Sequence, residues 1–366
     1  MHKELLSNGM RLNCSIGFIK CKESQSEYFW KGYKDTRGKK FCRKEVGTME
    51  LAGILTSQVV VMFLLLAAGM ILYKTGMITD EGNRQMAGVV LYVVAPLLIL
   101  DTYSMEYDAA ITKNMLLGFL LSAISIIIGI LVSYVLKIGS KKESLSTERF
   151  TVIFTNCGFM GIPLAEAVFG DIGVIYCTTY ITMFNLFVWT YGLALMRGKS
   201  TEKRSLKEKL KPFLSPTMFC IVLGLLVYFL RIPMPGQVKS AVGYISSMNT
   251  PLAMIVSGIY IAQGDLLGAI RKGRVYVVGA MKCLVVPFFM IFVLMFLPFD
   301  EKLKTTILIL SACPSGANGM LFANRFGGDA KTASNVFTVT TIASIFCIPL
   351  MVMFSEWITK IVTGLF

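Results

Sequence analysis

Repeated apolar stretches of about 20 residues constrain this chain more than any other feature. A helix needs about 20 apolar residues to cross roughly 30 Å of hydrocarbon, and such stretches recur from Leu51 onward. Of the 366 residues, 16% are charged, against about 25% in soluble domains. Runs such as "LLGFLLSAISIIIGILVSYVL" lack the alternation of a membrane β-barrel strand. The chain is therefore predicted to be an all-α membrane protein.

The apolar stretches predict ten membrane-spanning helices. Their approximate limits are 53–73, 87–104, 114–136, 149–168, 172–196, 213–230, 241–263, 275–297, 305–324 and 333–355. Loops after odd-numbered helices hold 18 Lys and Arg residues, whereas loops after even-numbered helices and the C-terminal end hold six. Because cytoplasmic loops keep positive charge, we expect a protein of the cell membrane with both ends of the helix bundle outside.

The first 48 residues contradict this orientation, since they carry 11 Lys and Arg residues and would have to be translocated. We interpret residues 1–48 as a basic extension that is a start-site artefact, with translation beginning at Met49, or is disordered. The alternative is a basic cytoplasmic or peripheral tail. Without its 11 positive and five negative residues, the net charge falls from +14 to +8. What remains is ordinary cytoplasmic-loop charge, so no nucleic-acid partner is expected.

The chain is predicted to consist of two halves of five helices. A basic loop at 197–212 separates residues 49–196 from residues 213–366, and an odd number of helices per half requires an inverted second half. "CGFMGIPLAEAVFGD" at 157–171 aligns with "SGANGMLFANRFGGD" at 315–329 with five identities. This alignment favours an inverted repeat, which is typical of transporters.

The predicted fourth and ninth helices are both interrupted by glycine and proline. Proline removes a backbone donor and glycine lets the chain unwind, so such breaks survive in hydrocarbon where protein or a water-filled cavity satisfies them. The alternative is that these residues simply allow kinks or close packing. Breaks at corresponding positions of two halves indicate a transport site, whose helix amino ends suit a carboxylate. The candidate substrate-binding residues at the crossing are Asn156, Gly158, Gly161, Pro163, Pro314, Ser315, Gly316 and Asn318.

Three segments resemble a known family. "TNCGFMGIPLAEAVFGD", "PSGANGMLFANRFGGD" and "VLYVVAPLLILDTYS" are similar to the auxin efflux carrier family, which includes bacterial permeases proposed for dicarboxylates such as malate and malonate. The resemblance runs from about Met49 to the C-terminus. It implies an inverted five-plus-five fold with crossed, broken fourth and ninth helices, and carboxylate binding near the crossing by a homodimer or monomer with a scaffold and a moving transport domain. The short 197–212 loop resembles bacterial members, so auxin is not the expected substrate.

Three ionisable residues within predicted helices are candidates for coupling or charge recognition. Glu166 could pair with a cation, take a proton or steady the unwound backbone, whereas Asp101 could equally sit at the membrane interface. Lys282 could attract an anion or bridge to an acidic residue, although snorkelling toward the cytoplasm is the favoured interpretation. The expected coupling ion is H+ or Na+. Asp171 and Asp329 are interpreted as residues that cap or bound helices.

Polar residues of other predicted helices are expected to line the cavity at the crossing. Each alone is more often part of an interhelical hydrogen bond. These candidates are Gln58, Asn185, Asn249, Thr341 and Ser344.

The predicted function is secondary transport of a small organic anion by alternating access. The partners expected are the lipid bilayer and a small carboxylate. His2 is the single histidine, none of the nine cysteines forms a C-x-x-C pair, and no H-E-x-x-H or P-loop motif occurs, so we expect no enzyme, cofactor or metal. A channel or a membrane sensor on the same fold are the alternatives.

Overall fold

A computed structural model describes most of the chain. The described residues are 19–23, 26–34, 40–45, 48–141, 143–197, 216–264, 266–326 and 328–365. The chain divides into two compact units, Met1–Gly53 and Ile54–Phe366.

The first unit contains a three-stranded antiparallel sheet. Its strands are β1 (Ile19–Glu23), β2 (Ser26–Lys34) and β3 (Lys40–Glu45), in the order β1-β2-β3. The prediction of an all-α chain missed these strands, and it holds for the described residues from Thr48 onward. Whether residues 1–48 belong to the mature protein stays a prediction.

The described residues from Thr48 onward form helices α1 to α13. Their bounds are α1 Thr48–Lys74, α2 Asp80–Thr102, α3 Ala109–Lys137, α4 Leu145–Ile153, α5 Cys157–Phe169, α6 Asp171–Arg197, α7 Pro216–Leu230, α8 Gly236–Gln263, α9 Leu266–Arg271, α10 Gly273–Met295, α11 Glu301–Ala312, α12 Asn318–Phe326 and α13 Ala330–Leu365.

Seven of these helices are long and apolar enough to cross a membrane: α1, α2, α3, α6, α8, α10 and α13. Two further apolar helices, α5 and α7, are shorter. The protein is therefore a multi-pass membrane protein. The predicted segments 149–168 and 305–324 are each interrupted, the first between α4 and α5 and the second between α11 and α12.

The helices pack into two groups. In the first group α2 packs against α7 and α8, and α1 meets α8 so closely that a Cβ at Gly258 would overlap the carbonyl oxygen of Leu66. In the second group α3 packs against α4 and α6, and α13 packs against α4, α10, α11 and α12. Contacts of α8 with α5 and α13, and of α2 with α6, join the two groups. The interrupted helices lie in the second group and face the first.

A sharp turn joins α5 to α6. Gly170 has a φ of +60°, which side-chain-bearing residues rarely adopt. A Cβ at Gly173 would overlap the carbonyl oxygen of Ala165. These two glycines let α6 fold back tightly against the short helix α5, and the turn at Gly170 marks where α5 ends.

Candidate functional site

The two interruptions have the same local design. The first helix of each pair ends at Ile153 in α4 and at Ala312 in α11, and an irregular segment follows before the next helix begins. We call the two irregular segments, 154–156 and 313–317, the crossing. Pro163 lies inside α5 directly after the π turn Cys157–Gly161, and prolines and π turns are both common causes of irregularity within a helix. π turns of this kind occur often at functional sites.

The two segments of the crossing pair with each other. The Asn156 N–H donates to the Pro314 carbonyl at 2.8 Å, and the Gly316 N–H donates to the Phe154 carbonyl at 3.0 Å. These bonds make an antiparallel bridge between Thr155 and Ser315. Each break therefore supplies the backbone partners that the other has lost, which is how irregular backbone is tolerated at membrane depth.

Hydroxyl groups complete the crossing. The Thr155 hydroxyl lies 2.9 Å from the Leu310 carbonyl, in the last turn of α11, and 3.1 Å from the carbonyl of Cys313, which follows that helix. Carbonyls at a helix carboxyl end lack partners within the helix. From α13, the Thr340 hydroxyl accepts the Ser315 N–H at 3.2 Å. The sequence prediction missed both threonines, although a threonine directly before the Asn-Cys-Gly of a break was the available signal.

A cavity of about 110 Å³ lies beside the crossing. Residues at the amino ends of α5 and α12 line it, and the first N–H groups of a helix have no partner within the helix. Its lining residues are Leu91, Ala95, Ile99, Thr155, Asn156, Cys157, Gly158, Phe159, Ile162, Ile181, Phe184, Asn185, Thr217, Gly316, Ala317 and Asn318. Five predicted site residues line it: Asn156, Gly158, Gly316, Asn318 and Asn185.

The remaining predicted residues at the crossing lie behind the cavity wall. Ser315 is fully buried in the bridge, and its hydroxyl has no partner among the described residues. A Cβ at Gly161 would overlap the Leu310 side chain, so this glycine permits close contact between α5 and α11. Pro163 and Pro314 shape the backbone, and Pro314 contributes its carbonyl to the bridge.

The other predicted lining residues are placed differently. Asn249 is 1% exposed and Thr341 is 2% exposed, and neither side chain has a hydrogen-bond partner in the described part of the chain. The Ser344 hydroxyl lies 2.5 Å from the Thr341 carbonyl. Gln58 is half-buried in α1. Asn185 reaches the cavity while its amide donates to the Ile181 carbonyl at 2.9 Å.

The charged candidates lie away from the cavity lining. Asp101 accepts a hydrogen bond from Ser246 at 3.1 Å, and Glu166, half-buried in α5, has Asp171 and Asp101 as its charged neighbours. Among the described residues, no charged side chain lines the cavity and no cluster of three His, Cys, Asp or Glu residues could hold a metal. The polarity of the cavity therefore comes from helix amino ends, amides and a hydroxyl.

The interpretation that Lys282 snorkels is wrong. Its side chain is 1% exposed, and its ammonium group donates to the Ser311 carbonyl at 3.2 Å, in the last turn of α11. Lys282 lies in the π turn Met281–Val285 of α10. Sequence position alone could not show this, because the widened turn and the packing of α11 decide where the side chain points.

Charged residues hold the far ends of the same helices. Glu148, 3% exposed on α4, accepts hydrogen bonds from Arg274 of α10 at 2.8 and 3.1 Å, and Arg274 also donates to the carbonyls of Leu136 and Ile138. Asp329 caps α13 by accepting from the Thr332 N–H at 2.9 Å, which confirms its interpretation as a cap. We call Glu148, Arg274 and Asp329 the charged clamp.

Asp329 also ties the start of α13 to the start of α4. Its carboxylate accepts from the Ser144 hydroxyl at 2.7 Å, and its N–H donates to Thr147 at 3.0 Å. Partial burial pushes the pKa of Asp329 upward, but the hydrogen bonds from Thr332 and Ser144 outweigh it, so the pKa is lowered from its ordinary value of 3.8. The charged form is thus stabilised in the folded protein.

A larger cavity of about 430 Å³ lies between the end of α2 and the end of α7. Its lining includes Tyr107 and Arg231, and the guanidinium carbon of Arg231 lies 4.7 Å from the centre of the Tyr107 ring. No residue of the crossing lines it. We therefore place the candidate site at the smaller cavity, where two helix amino ends meet.

Comparison with known proteins decides the family. A family model described as "Membrane transport protein" matches residues 54–352, which include both segments of the crossing. The chain belongs to this family. The match confirms the resemblance to the auxin efflux carrier family. Membership of this family supports a transport function.

Two archaeal relatives are described as transporters. An "uncharacterized transporter" of Methanocaldococcus jannaschii is 22% identical over 295 residues, covering 77% of this chain and 93% of the relative. An "uncharacterized transporter" of Methanothermobacter thermautotrophicus is 23% identical over 300 residues, covering 81% of this chain and 96% of the relative. The similarity spans nearly the whole length of both relatives.

Proposed function

We propose that this membrane transport protein is a secondary carrier of a small organic anion, with its binding site in the cavity at the crossing. The observation that carries the proposal is the meeting of two helix amino ends, α5 and α12, at one cavity beside the Thr155–Ser315 bridge. Helix amino ends present unpaired N–H groups and partial positive charge, which favour a carboxylate.

The lining supports an anion with a short apolar part. Asn156 and Asn318 supply amide groups at the two amino ends, and Phe159 and Phe184 supply apolar walls. Ligand cavities for drug-sized molecules measure about 300–1,000 Å³, so a cavity of about 110 Å³ favours a ligand of few heavy atoms. Small mono- and dicarboxylates, including malonate and malate, are the proposed substrate class.

Alternating access is the proposed mechanism. The crossing lies in one group of helices and faces the other group, α1, α2, α7 and α8, across the cavity. Movement of the group that carries the crossing against the other group would expose the cavity to one side and then the other. The second group would then be the moving transport domain, and the first group the scaffold.

We propose ten membrane crossings arranged as an inverted repeat of residues 49–196 and 213–366. The matching design of the two breaks supports this proposal, since α4 with α5 and α11 with α12 each count as one interrupted crossing. The loop charges support an orientation in the cell membrane with both ends of the bundle outside. A homodimer and coupling to H+ or Na+ are further proposals that follow from the family resemblance and from the buried charges.

A channel and a membrane sensor remain alternatives with distinct outcomes. A channel would conduct without exchanging substrate, and a sensor would bind the anion without moving it. The catalytic motifs absent from the sequence and membership of a transporter family both support a protein that is not an enzyme.

The test is counterflow in liposomes reconstituted with the full chain. Labelled malonate, malate and indole-acetate are offered outside, with unlabelled anion inside, with and without a pH or sodium gradient. We expect saturable exchange of at least one carboxylate. Binding without exchange would indicate a sensor, and conductive flux without exchange would indicate a channel. If the protein neither binds nor moves any of the three anions, its substrate lies outside the carboxylate class.

A further inference from the structure

The buried side-chain nitrogen of Lys282 has few partners. Its side chain is 1% exposed, and the hydrogen bond to the Ser311 carbonyl at 3.2 Å is the contact that the structure gives it. An ammonium group has three N–H donors. Within the described residues, no carboxylate lies within ion-pair distance of Lys282. An unpaired buried charge is strongly disfavoured.

The groups around Lys282 are neutral or already paired. The elements packed against its π turn are α3, α4, α11 and α13, with the neighbouring turns of α10. Among the charged side chains of α4 and α10, Glu148 and Arg274 bind each other, and Arg149 binds Tyr191 and Ser133. The charged residues of α3, α11 and α13 lie toward the ends of those helices: Lys113, Lys137, Glu301, Lys302, Lys304, Lys331, Glu356 and Lys360. The titratable groups that face Lys282 are the thiols of Cys157, Cys283 and Cys313, with Cys347 beside Cys283 and the Tyr180 hydroxyl beyond them.

A short polar path connects Lys282 to the cavity. Ser311, whose carbonyl accepts from Lys282, is next in sequence to Leu310, whose carbonyl accepts from the Thr155 hydroxyl at 2.9 Å. Thr155 lines the cavity. The charge of an anion in the cavity therefore acts on Lys282 across one turn of helix in a low-dielectric interior, where charges interact strongly.

We infer that Lys282 is the proton carrier of this protein: its amine binds one proton when a carboxylate occupies the cavity at the crossing, and releases that proton when the carboxylate leaves. This inference rests on the proposed function. The proton adds to the amine nitrogen to give the ammonium ion, and anion and proton leave on the same side of the membrane. One proton then accompanies each anion, and transport of a monocarboxylate carries no net charge.

Lys282 suits the role of proton carrier for an anion better than the acidic candidates Asp101 and Glu166 do. Neither Lys282 nor Asp101 nor Glu166 lines the cavity, but a carboxylate that loses its proton would repel an anion rather than attract it. Lys282 acquires positive charge at the moment when the cavity acquires negative charge. The carbonyl end of α11 stabilises that positive charge in part.

Proton-driven accumulation in liposomes containing the full chain tests the inference. With a membrane permeable to K+ and clamped at zero potential, an acidic exterior should drive labelled malonate, which is ionised at neutral pH, inward about tenfold per pH unit, because one proton is carried per anion. Indole-acetate should show the same acid-driven accumulation in excess of the passive uptake of its neutral acid form by protein-free liposomes. Wild-type counterflow without any effect of the pH gradient would overturn the inference and leave the proposed function intact.

Two substitutions separate the roles of charge and proton exchange. Lys282→Arg keeps the charge but cannot release a proton, so counterflow should persist while the tenfold accumulation disappears. Lys282→Met keeps the length without the charge and should also lose accumulation. Lys331→Met, which removes an exposed lysine at the start of α13, is the matched control and should accumulate as wild type. Accumulation by either Lys282 variant would overturn the inference, as would its loss in Glu166→Gln.

Proton uptake by the wild-type protein provides a measurement that needs no variant. Malonate and indole-acetate are added to the detergent-solubilised full chain in weakly buffered solution with a pH indicator. We expect close to one proton taken up per bound anion. Binding without proton uptake would overturn the inference, whereas absence of both binding and counterflow would overturn the proposed function and the inference together.

Discussion

The crossing and the charged clamp both hold α4 and α13, but by different means. At the crossing, backbone groups pair across the break, and the hydroxyls of Thr155 and Thr340 satisfy groups that remain. At the charged clamp, ionised Glu148, Arg274 and Asp329 bind fixed partners. The comparison shows which region could bind a ligand. The carboxylates of the charged clamp already accept hydrogen bonds from the protein, whereas the uncharged crossing has helix amino ends and two amides at a cavity.

The largest expected effect comes from the amides of the crossing. Asn156→Ala or Asn318→Ala should reduce transport roughly 10- to 100-fold, because a hydrogen bond to a charged group contributes about 1.5–3 kcal/mol. The protein should remain folded, with an unchanged denaturation midpoint in detergent. Asn324→Ala, on the exposed face of α12, is the control and should transport normally. Normal transport by both crossing variants would remove the crossing as the site.

Breaking the charged clamp should reduce stability. Glu148→Gln leaves Arg274 without its carboxylate, and we expect a loss of about 2 kcal/mol in the free energy of unfolding, less than for a fully buried pair because Arg274 is 28% exposed. The control is Glu81→Gln, whose ion pair with Arg84 is exposed and should contribute less than about 0.5 kcal/mol. Equal effects of the two substitutions, measured by thermal denaturation in detergent, would contradict this view of the clamp.

Removing the Thr155 hydroxyl should lower the free energy of unfolding by less than Glu148→Gln does. Thr155→Val leaves a carbonyl at the end of α11 without its donor, and we expect a cost of about 1 kcal/mol. Thr102→Val is the control. The Thr102 hydroxyl donates to the Leu98 carbonyl of its own helix at 2.8 Å. Because that carbonyl keeps its helical backbone N–H donor, the cost in stability should be smaller. Denaturation midpoints of the two variants in detergent compare them, and a larger effect at Thr102 would contradict the role given to Thr155.

The smallest expected effect is a pH dependence from Asp329. Because the folded-state pKa lies below the ordinary value of 3.8, its contribution to stability is present above that pH and is lost as the pH falls through the lowered pKa. Thermal midpoints measured from pH 6 down to pH 3 should fall in wild type at the acid end. Asp329→Asn should show a smaller fall, and an identical fall in the two proteins would contradict the assignment.

Much of the fold could be predicted from local sequence. Apolar length determines helices in a membrane, and the glycines and prolines around 156–163 and 314–319 determine that two of them break. The sequence did not predict the strands β1 to β3, because short strands with interspersed lysines lack a clear apolar alternation. The candidate site was predicted in part: Asn156 and Asn318 line the cavity, whereas Thr155 and Thr340 were missed.

By itself, the amino-acid sequence determined that this chain enters a membrane, that its helices are interrupted at two places and that those places bear amides. The tertiary structure decided that the breaks pair through Thr155 and Ser315, that Lys282 is buried against α11 and that Glu148 binds Arg274. The reason is physical. Helix formation and helix breaking depend on neighbouring residues, but a buried polar group is stabilised by whichever partner packing brings to it, and here those partners lie far away in sequence.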